Sequence, residues 1–352
     1  MSGEQSLEGK AHGLSKSRIT AFEQCSKKLW LSVHRRDLAE TQAQSELRFA
    51  AGHRVGATAC DLVPGGVMIE AQPDLKAALE QTANLLAAGH KGPIYEATFV
   101  HDGVLVQVDI MEPAYGSAWK MAEVKSSTGV KDYHLGDLAT QVWVLEGCGI
   151  EIEAATIRHI DTSFVLTEPG IYAGLLRDAP LLEAVRPIAE GRANLAAQAR
   201  EALAGDEPAV EVGAHCSKPF SCEFQAYCGK NLPEPPEWPI DILPRVGRRL
   251  ADEMAQEGIF DLRELSVDFL KKPQHRIVHQ ATVSGVPYHD PVGAMTATEN
   301  WHFPRHYLDF ETIALPVPAW LGTKPYQQVP FQFSCHRELA DGSITHRSFL
   351  SV

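Results

Sequence analysis

Two acids and a lysine stand where their neighbours make charge expensive. Asp109 interrupts the apolar run Val104-Leu105-Val106-Gln107-Val108-Asp109-Ile110-Met111, and Ala122-Glu123-Val124-Lys125 follows shortly after it. Side chains at i and i+2 of a strand share a face, so Glu123 and Lys125 point the same way. A lone carboxylate in such a run is costly to bury, and something must compensate it. Two compensations are open: a divalent cation between Asp109 and Glu123 with Lys125 beside it, or an ordinary salt bridge from Lys125 to either acid.

A second group with chemistry lies about a hundred residues on. Cys216, Cys222 and Cys228 recur as Cys-x5-Cys-x5-Cys in a loop that contains proline and few apolar residues. Such a loop is poorly suited to packing three thiols, so ligation is the better account. A tetrahedral site needs four ligands, and only His215 is added locally. Cys60 and Cys148 sit in apolar helical contexts and Cys335 in a later strand, whereas Cys25 lies among Gln24, Ser26, Lys27 and Lys28. Cys25 is therefore the expected fourth ligand, against the plain alternative of a small core residue.

The totals bound these readings. A chain of 352 residues exceeds one ordinary domain. No apolar run is long enough to span a bilayer, and the start Met1-Ser2-Gly3-Glu4-Gln5-Ser6 lacks the hydrophobic segment of a secretory signal. A cytoplasmic protein without a membrane partner is expected, in which seven cysteines are no disulfide framework. The net charge of -13 argues against a surface that coats nucleic acid. A local basic stripe nevertheless runs through Lys10, Lys16, Arg18, Lys27, Lys28, Arg35 and Arg36, interleaved with Phe22 and Trp30; its plain reading is a solvated helix face.

The elements that must position these residues follow from periodicity. Residues 1–13 are small, polar and aperiodic, and disorder is expected there. One helical pattern opens at Ser15 and runs past Trp30, and a second helix over about 45–60 carries His53. A strand at 67–69 and a helix over 73–88 precede a hairpin: Ile94 to Val100, a His101-Asp102-Gly103 turn, then the Asp109 strand. Strand 119–125, a helix over 134–146 bearing Gln141, and strand 154–160 complete a β-β-β-α-β order, which predicts an α/β fold with a mixed sheet. Helices are expected over 170–190 and 193–204, and residues 231–240 form a proline-dense linker. A helical segment over 241–300, with a helix pair joined through Gly258, reads as packing rather than a grip on DNA. Residues 301–352 open a new domain in which Asp309 and Glu311 share a strand face.

In order and spacing, His53, Asp109, Glu123-Val124-Lys125 and Gln141, flanked by Cys25 and the triple-cysteine run, resemble the RecB-like branch of the PD-(D/E)XK nucleases. The iron-sulfur members, among them AddB-type helicase-nucleases and CRISPR adaptation nucleases, are the nearest likeness, over about residues 14–230. That resemblance implies a restriction-endonuclease-like core with flanking helices. It implies that Asp109 and Glu123 bind Mg²⁺ or Mn²⁺, that His53 completes the metal shell, and that Lys125 orients or activates the attacking water, with Glu96 and Gln141 assisting. It also implies that Cys25, Cys216, Cys222 and Cys228 hold a [4Fe-4S] cluster of mainly structural role; structural Zn²⁺ is the alternative. The chain departs from the pattern at Leu145, where relatives often carry tyrosine, and in the cysteine run, where a Cys-x2-Cys interval is common.

From Ile240 onward the chain resembles an uncharacterised bacterial family whose last domain opens with Leu-Asp-Phe-Glu-Thr. That opening is also similar to the first motif of DEDD-type 3'-5' exonucleases on an RNase H-like fold, which makes Asp309 and Glu311 a second possible metal site in a truncated domain. The expected activity is metal-dependent hydrolysis of DNA, single-stranded or at ends, in repair, recombination or defence. DNA and a helicase or other repair or defence proteins are the expected partners. A non-catalytic nucleic-acid-binding or scaffold protein that keeps the fold and the cluster is the alternative.

Overall fold

The computed structural model describes residues 13–40, 43–70, 74–245 and 247–351. The chain divides into two compact units, one of residues 1–230 with 311–331, the other of 231–310 with 332–352. The expected disorder before Gly13 and the position of Lys10 lie outside the described residues.

The first unit is built on a seven-stranded mixed sheet. Its strands are β1 (Leu14–Ser15), β2 (Val67–Met68), β3 (Ile94–His101), β4 (Val104–Pro113), β5 (Trp119–Lys125), β6 (Ile152–Ile160) and β7 (Leu176–Pro180). The order is β2-β3-β4-β5-β6-β7, with β1 added to β4. Contacts β3/β4, β4/β5 and β6/β7 are antiparallel, while β2/β3, β5/β6 and β1/β4 are parallel. The β3–β4 hairpin closes at Asp102 and Gly103, both at positive φ, 45° and 65°, as a two-residue turn that matches the strand twist requires.

The helices are α1 (Lys16–Gln24), α2 (Ser26–His34), α3 (Ala43–Asp61), α4 (Leu75–Ala87), α5 (Asp132–Gly147), α6 (Leu182–Glu190), α7 (Arg192–Ala204) and α8 (Gln225–Gly229). Helix α5 lies in the crossover between parallel β5 and β6. Its Leu138, Ala139, Val142, Val144 and Leu145 are buried with Val104, Val106, Val108 and Met121 of the sheet in one core.

Two expectations are corrected here. The single helix past Trp30 is two helices, because Cys25 adopts an extended backbone (φ -168°, ψ 124°) between them. Residues 170–190 are not one helix: β7 occupies Leu176–Pro180 as an edge strand, and only Leu182–Glu190 is helical. Gly170 and Gly174 sit at φ 78° and 88°, outside helical space, which explains the break.

The second unit contains α9 (Gly247–Ala255), α10 (Pro273–Ser284), α11 (Pro291–Thr298), β9 (Val329–Glu338) in part, β10 (Ile344–Leu350) and most of β8 (Arg305–Ile313). Strands β10, β9 and β8 make a three-stranded sheet. The partner expected for α9 beyond Gly258 is a short 3-10 turn, Leu262–Glu264, and not a second helix. Ile240, Leu243, Met254, Leu262, Leu265 and Leu270 form its core. The end of the proline-dense stretch belongs to that packing: the Trp238 carbonyl accepts the Leu262 amide at 2.7 Å, and Arg263 forks onto Asp261.

Candidate active site

Strands β4 and β5 part company just where the acids lie. Their ladder runs from Pro113↔Trp119 to Ile110↔Ala122 and stops. Beyond that point the Val124 amide has no partner on β4, and the carboxylate of Asp109 accepts it at 2.6 Å. A side chain thus takes over from a ladder bond at the fork of the sheet. Further along the same edge of β4, where β5 has left it, β1 pairs at Leu14 and Ser15 and hands the chain straight to α1, whose first residue is Lys16.

Glu123 is the hub of the fork. Its side chain is 4% exposed, yet it is ionised with partners on three elements. Oε1 accepts from Lys16 Nζ at 2.5 Å and from Lys125 Nζ at 2.8 Å, and Oε2 accepts from the amide nitrogen of Gln141. Lys125 also donates to Asp137 Oδ2 at 2.9 Å, and Thr20 donates to the other Asp137 oxygen at 2.8 Å. His134, Asp137 and Gln141 recur at three- and four-residue spacing on α5 and so share one buried face.

The titration behaviour follows from this charge set. Burial opposes ionisation of Glu123, but Lys16 and Lys125 outweigh it and hold the carboxyl low, at about 2. Asp109 has burial and Glu123 against it, with Lys16 only partly offsetting them, and is pushed up to about 8. Burial and Glu123 raise Glu96 as well. Burial lowers His134 to about 4, helped by Lys125. Four carboxyl groups, Glu96, Asp109, Glu123 and Asp137, meet two ammonium groups, Lys16 and Lys125. With all four ionised the excess would be two negative charges, the amount one divalent cation carries; in the metal-free protein the proton that Asp109 keeps makes up part of it. The donors are the hard oxygens that Mg²⁺ or Mn²⁺ prefers, although among the described residues no three His, Cys, Asp or Glu are grouped to hold one ion. Gln141 Oε1 adds a buried acceptor with no hydrogen-bond partner.

Glu96 stands on β3 opposite Asp109, between the paired residues Tyr95↔Ile110 and Ala97↔Val108, and is itself out of the ladder. Its φ is 55°, in the left-handed region that costs a non-glycine residue about 1 to 3 kcal/mol. Its carboxyl group is close enough to the fork to feel both Glu123 and Lys16. His53 lies exposed on α3, near enough for its charge to lower Glu96.

The structure brings Asp109, Glu123, Lys125 and Gln141 together as one constellation, with Glu96 and His53 at its margin. Gln141 meets Glu123, and Asp137 steadies the lysine. Two residues of the site were not anticipated as such. Asp137 carries a signal, since it is one turn before Gln141 on the same helix face. Lys16 carries none, because only the β1–β4 pairing brings it to the fork. The basic stripe is largely spent on internal pairs: Lys16 on Glu123, Lys27 on Glu207, Lys28 on Glu223 and Arg35 on Asp37. Its aromatics are engaged too, Phe22 against the main core and Trp30 through a bond to the Gly205 carbonyl at 3.0 Å.

All four expected cysteines line one cavity, of about 340 Å³ including its open mouth. The break at Cys25 turns that residue toward the loop of Cys216, Cys222 and Cys228, and Leu31 and Phe224 pack with the loop cysteines. The loop is pinned to α1 by Gln24, which donates to the carbonyls of His215 and Phe220 at 2.8 Å each. Burial raises the thiols of Cys222 and Cys228, while Lys28 and Lys27 respectively oppose it. Donor number and type fit a four-thiolate site. The side chains are not drawn into ligand geometry: among the described residues, no three His, Cys, Asp or Glu stand ready to hold one ion.

Asp309 and Glu311 lie exposed on β8, and no metal-holding group forms around them among the described residues. Residues 306–352 match the family model described as a domain of unknown function, DUF2779. No curated protein matches the chain. The match lies wholly outside both the fork and the cysteine cavity. No helix among the described residues is long and apolar enough to cross a membrane.

Proposed function

We propose that residues 14–230 form a metal-dependent nuclease of the RecB-like PD-(D/E)XK type, hydrolysing phosphodiester bonds of single-stranded DNA or DNA ends. The observation that carries the reading is the fork itself: a carboxyl group on each of two diverging strands, Glu123 buried and Asp109 half-buried, with Lys125 held between Glu123 and Asp137 beside them. A plain salt bridge accounts for Lys125 and Glu123 but not for the carboxyl groups of Asp109 and Glu96 beside them.

Bound Mg²⁺ or Mn²⁺ supplies Lewis-acid polarisation of a phosphoryl oxygen and a more acidic water. Asp109 and Glu123 are the residues that would hold it. Lys125 has three N–H donors, of which Glu123 and Asp137 take two. The third is left for the attacking water or a non-bridging phosphate oxygen, where a fixed ammonium offsets developing charge. Asp137 fixes that ammonium and Gln141 fixes the Glu123 carboxylate, so neither catalytic group must reorganise. The four cysteines would hold a [4Fe-4S] cluster, or zinc, as a staple between the α1–α2 junction and the end of the domain. A repair or defence role beside a helicase partner is the corresponding cellular proposal.

Cleavage of defined single-stranded and duplex DNA with Mg²⁺ or Mn²⁺ tests the reading. Wild type is expected to cleave, and Lys125→Ala to lose about a hundredfold or more of that rate. Equal cleavage by the two proteins refutes it. One observation favours the non-catalytic reading: both oxygens of Glu123 are already occupied by internal donors. Tight, salt-dependent strand binding with no metal-dependent cleavage would establish that reading instead.

A further inference from the structure

Glu123 accepts three N–H groups on two oxygens, two of them on Oε1, and for Oε1 to hold a divalent cation one of its donors must withdraw. The three differ in how firmly they are held. Gln141 is wholly buried on α5, in the middle of the core. Lys125 is anchored twice, by Glu123 at 2.8 Å and by Asp137 at 2.9 Å, and sits in the sheet. Lys16, half-buried like Lys125, has Glu123 as its one side-chain partner among the described residues, at 2.5 Å. It springs from the first turn of α1, directly after a strand of two residues. Its ammonium can swing out on a flexible four-carbon stem without disturbing a packed element. It is also the cation nearest in role to a metal ion, since it faces both Glu123 and Asp109 across the fork.

Resting on the metal-site reading given under Proposed function, we propose that Lys16 is a tethered counter-ion that occupies the cation position beside Glu123, and that a divalent cation enters by displacing it. Metal binding is then a competition between a diffusing dication and an ammonium already bound to the chain. Lys16 sets the metal concentration at which the site fills. In the metal-free protein it gives the buried Glu123 a second ammonium beside that of Lys125.

The test is Mn²⁺ binding by the full chain, read by electron paramagnetic resonance without substrate, for wild type, Lys16→Met, Lys16→Arg and Asp109→Asn. Lys16→Met is expected to bind Mn²⁺ about tenfold tighter or more, Lys16→Arg to stay near wild type because it keeps the competing charge, and Asp109→Asn to bind more weakly. Should Lys16→Met fail to fold, Lys16→Gln removes the charge and keeps a donor, and carries the same comparison. Wild-type affinity or weaker in the folded charge-removing variant overturns the competition. If Asp109→Asn abolishes binding while removal of the Lys16 charge leaves it unchanged, only the role of Lys16 falls. If no protein of the set binds Mn²⁺, the metal reading falls with it.

Discussion

Replacing Asp109 by Asn should remove a pH dependence of stability that the fork builds into the metal-free protein. Asp109 is raised from 3.8 to about 8 by burial and by Glu123. The folded protein keeps this proton throughout that window and the unfolded chain releases it, so the folded state binds more protons and stability falls as pH rises. His134 works the other way, because burial lowers it from 6.5 to about 4. Below 6.5 the unfolded chain takes up a proton that folded His134 refuses, and stability falls as pH drops. The two slopes oppose each other between about 4 and 6.5, and Asp109 alone remains from 6.5 to about 8.

Over that interval of about 1.5 pH units, one proton is worth about 2 kcal/mol. Asn cannot ionise, yet its side-chain oxygen can still accept the Val124 amide, so the backbone contact at the fork survives the substitution. Equilibrium urea unfolding in EDTA, read by pulsed hydrogen exchange of peptides from β4 and β5, measures the difference. Wild type is expected to lose about 2 kcal/mol from pH 6.5 to 8 and Asp109→Asn to stay flat. Saturating Mn²⁺ should erase the wild-type slope, because an acid that ligates a cation is already ionised. A flat wild-type profile, or an equal slope in both proteins, would refute the assignment of a buried, protonated Asp109.

Asp137→Asn should lower the cleavage rate about tenfold or more while leaving Mn²⁺ affinity near wild type, since Asp137 fixes Lys125 and touches neither Asp109 nor the Glu123 oxygens; a change in metal affinity equal to the change in rate would contradict that division. Anaerobically purified protein should carry iron and labile sulfide, and Cys222→Ser should lose both along with stability of the loop held by Gln24. Zinc without iron would assign the cysteine cavity to the other metal.

Much of the fork was legible because it obeys local rules. The alternation in Val104 to Met111 fixes which face Asp109 takes, the Asp102-Gly103 pair closes the hairpin, and the i, i+2 spacing of Glu123 and Lys125 puts both on one face. Gln141 was legible because helical spacing on α5 is regular. The polar neighbours of Cys25 set it apart in the sequence, and the structure adds a stronger reason, since the helix breaks at that residue. Periodicity missed the break because Ile19, Phe22, Leu29 and Trp30 keep one helical face on both sides of it. The strand at Leu176–Pro180 was missed for a related reason: an edge strand pairs on one side only and needs no apolar run to announce itself.

Lys16 was illegible for a different reason, and the difference bears on how the site works. Its partner lies 107 residues away, and the contact exists only because β1 inserts beside β4 at the point where β5 diverges. A ladder that continued past Ile110↔Ala122 would have satisfied the Val124 amide with a carbonyl and left neither a use for the Asp109 carboxylate nor room for an ammonium. The fork therefore creates the site by withholding a backbone partner, and charged side chains enter to replace it. This is why two strongly apolar strands tolerate an acid each: the cost of burying them is offset by Lys125 of β5 and by Lys16, drawn from outside the sheet. The one anchored at a single carboxylate, Lys16, is the one whose removal the rest of the site can survive.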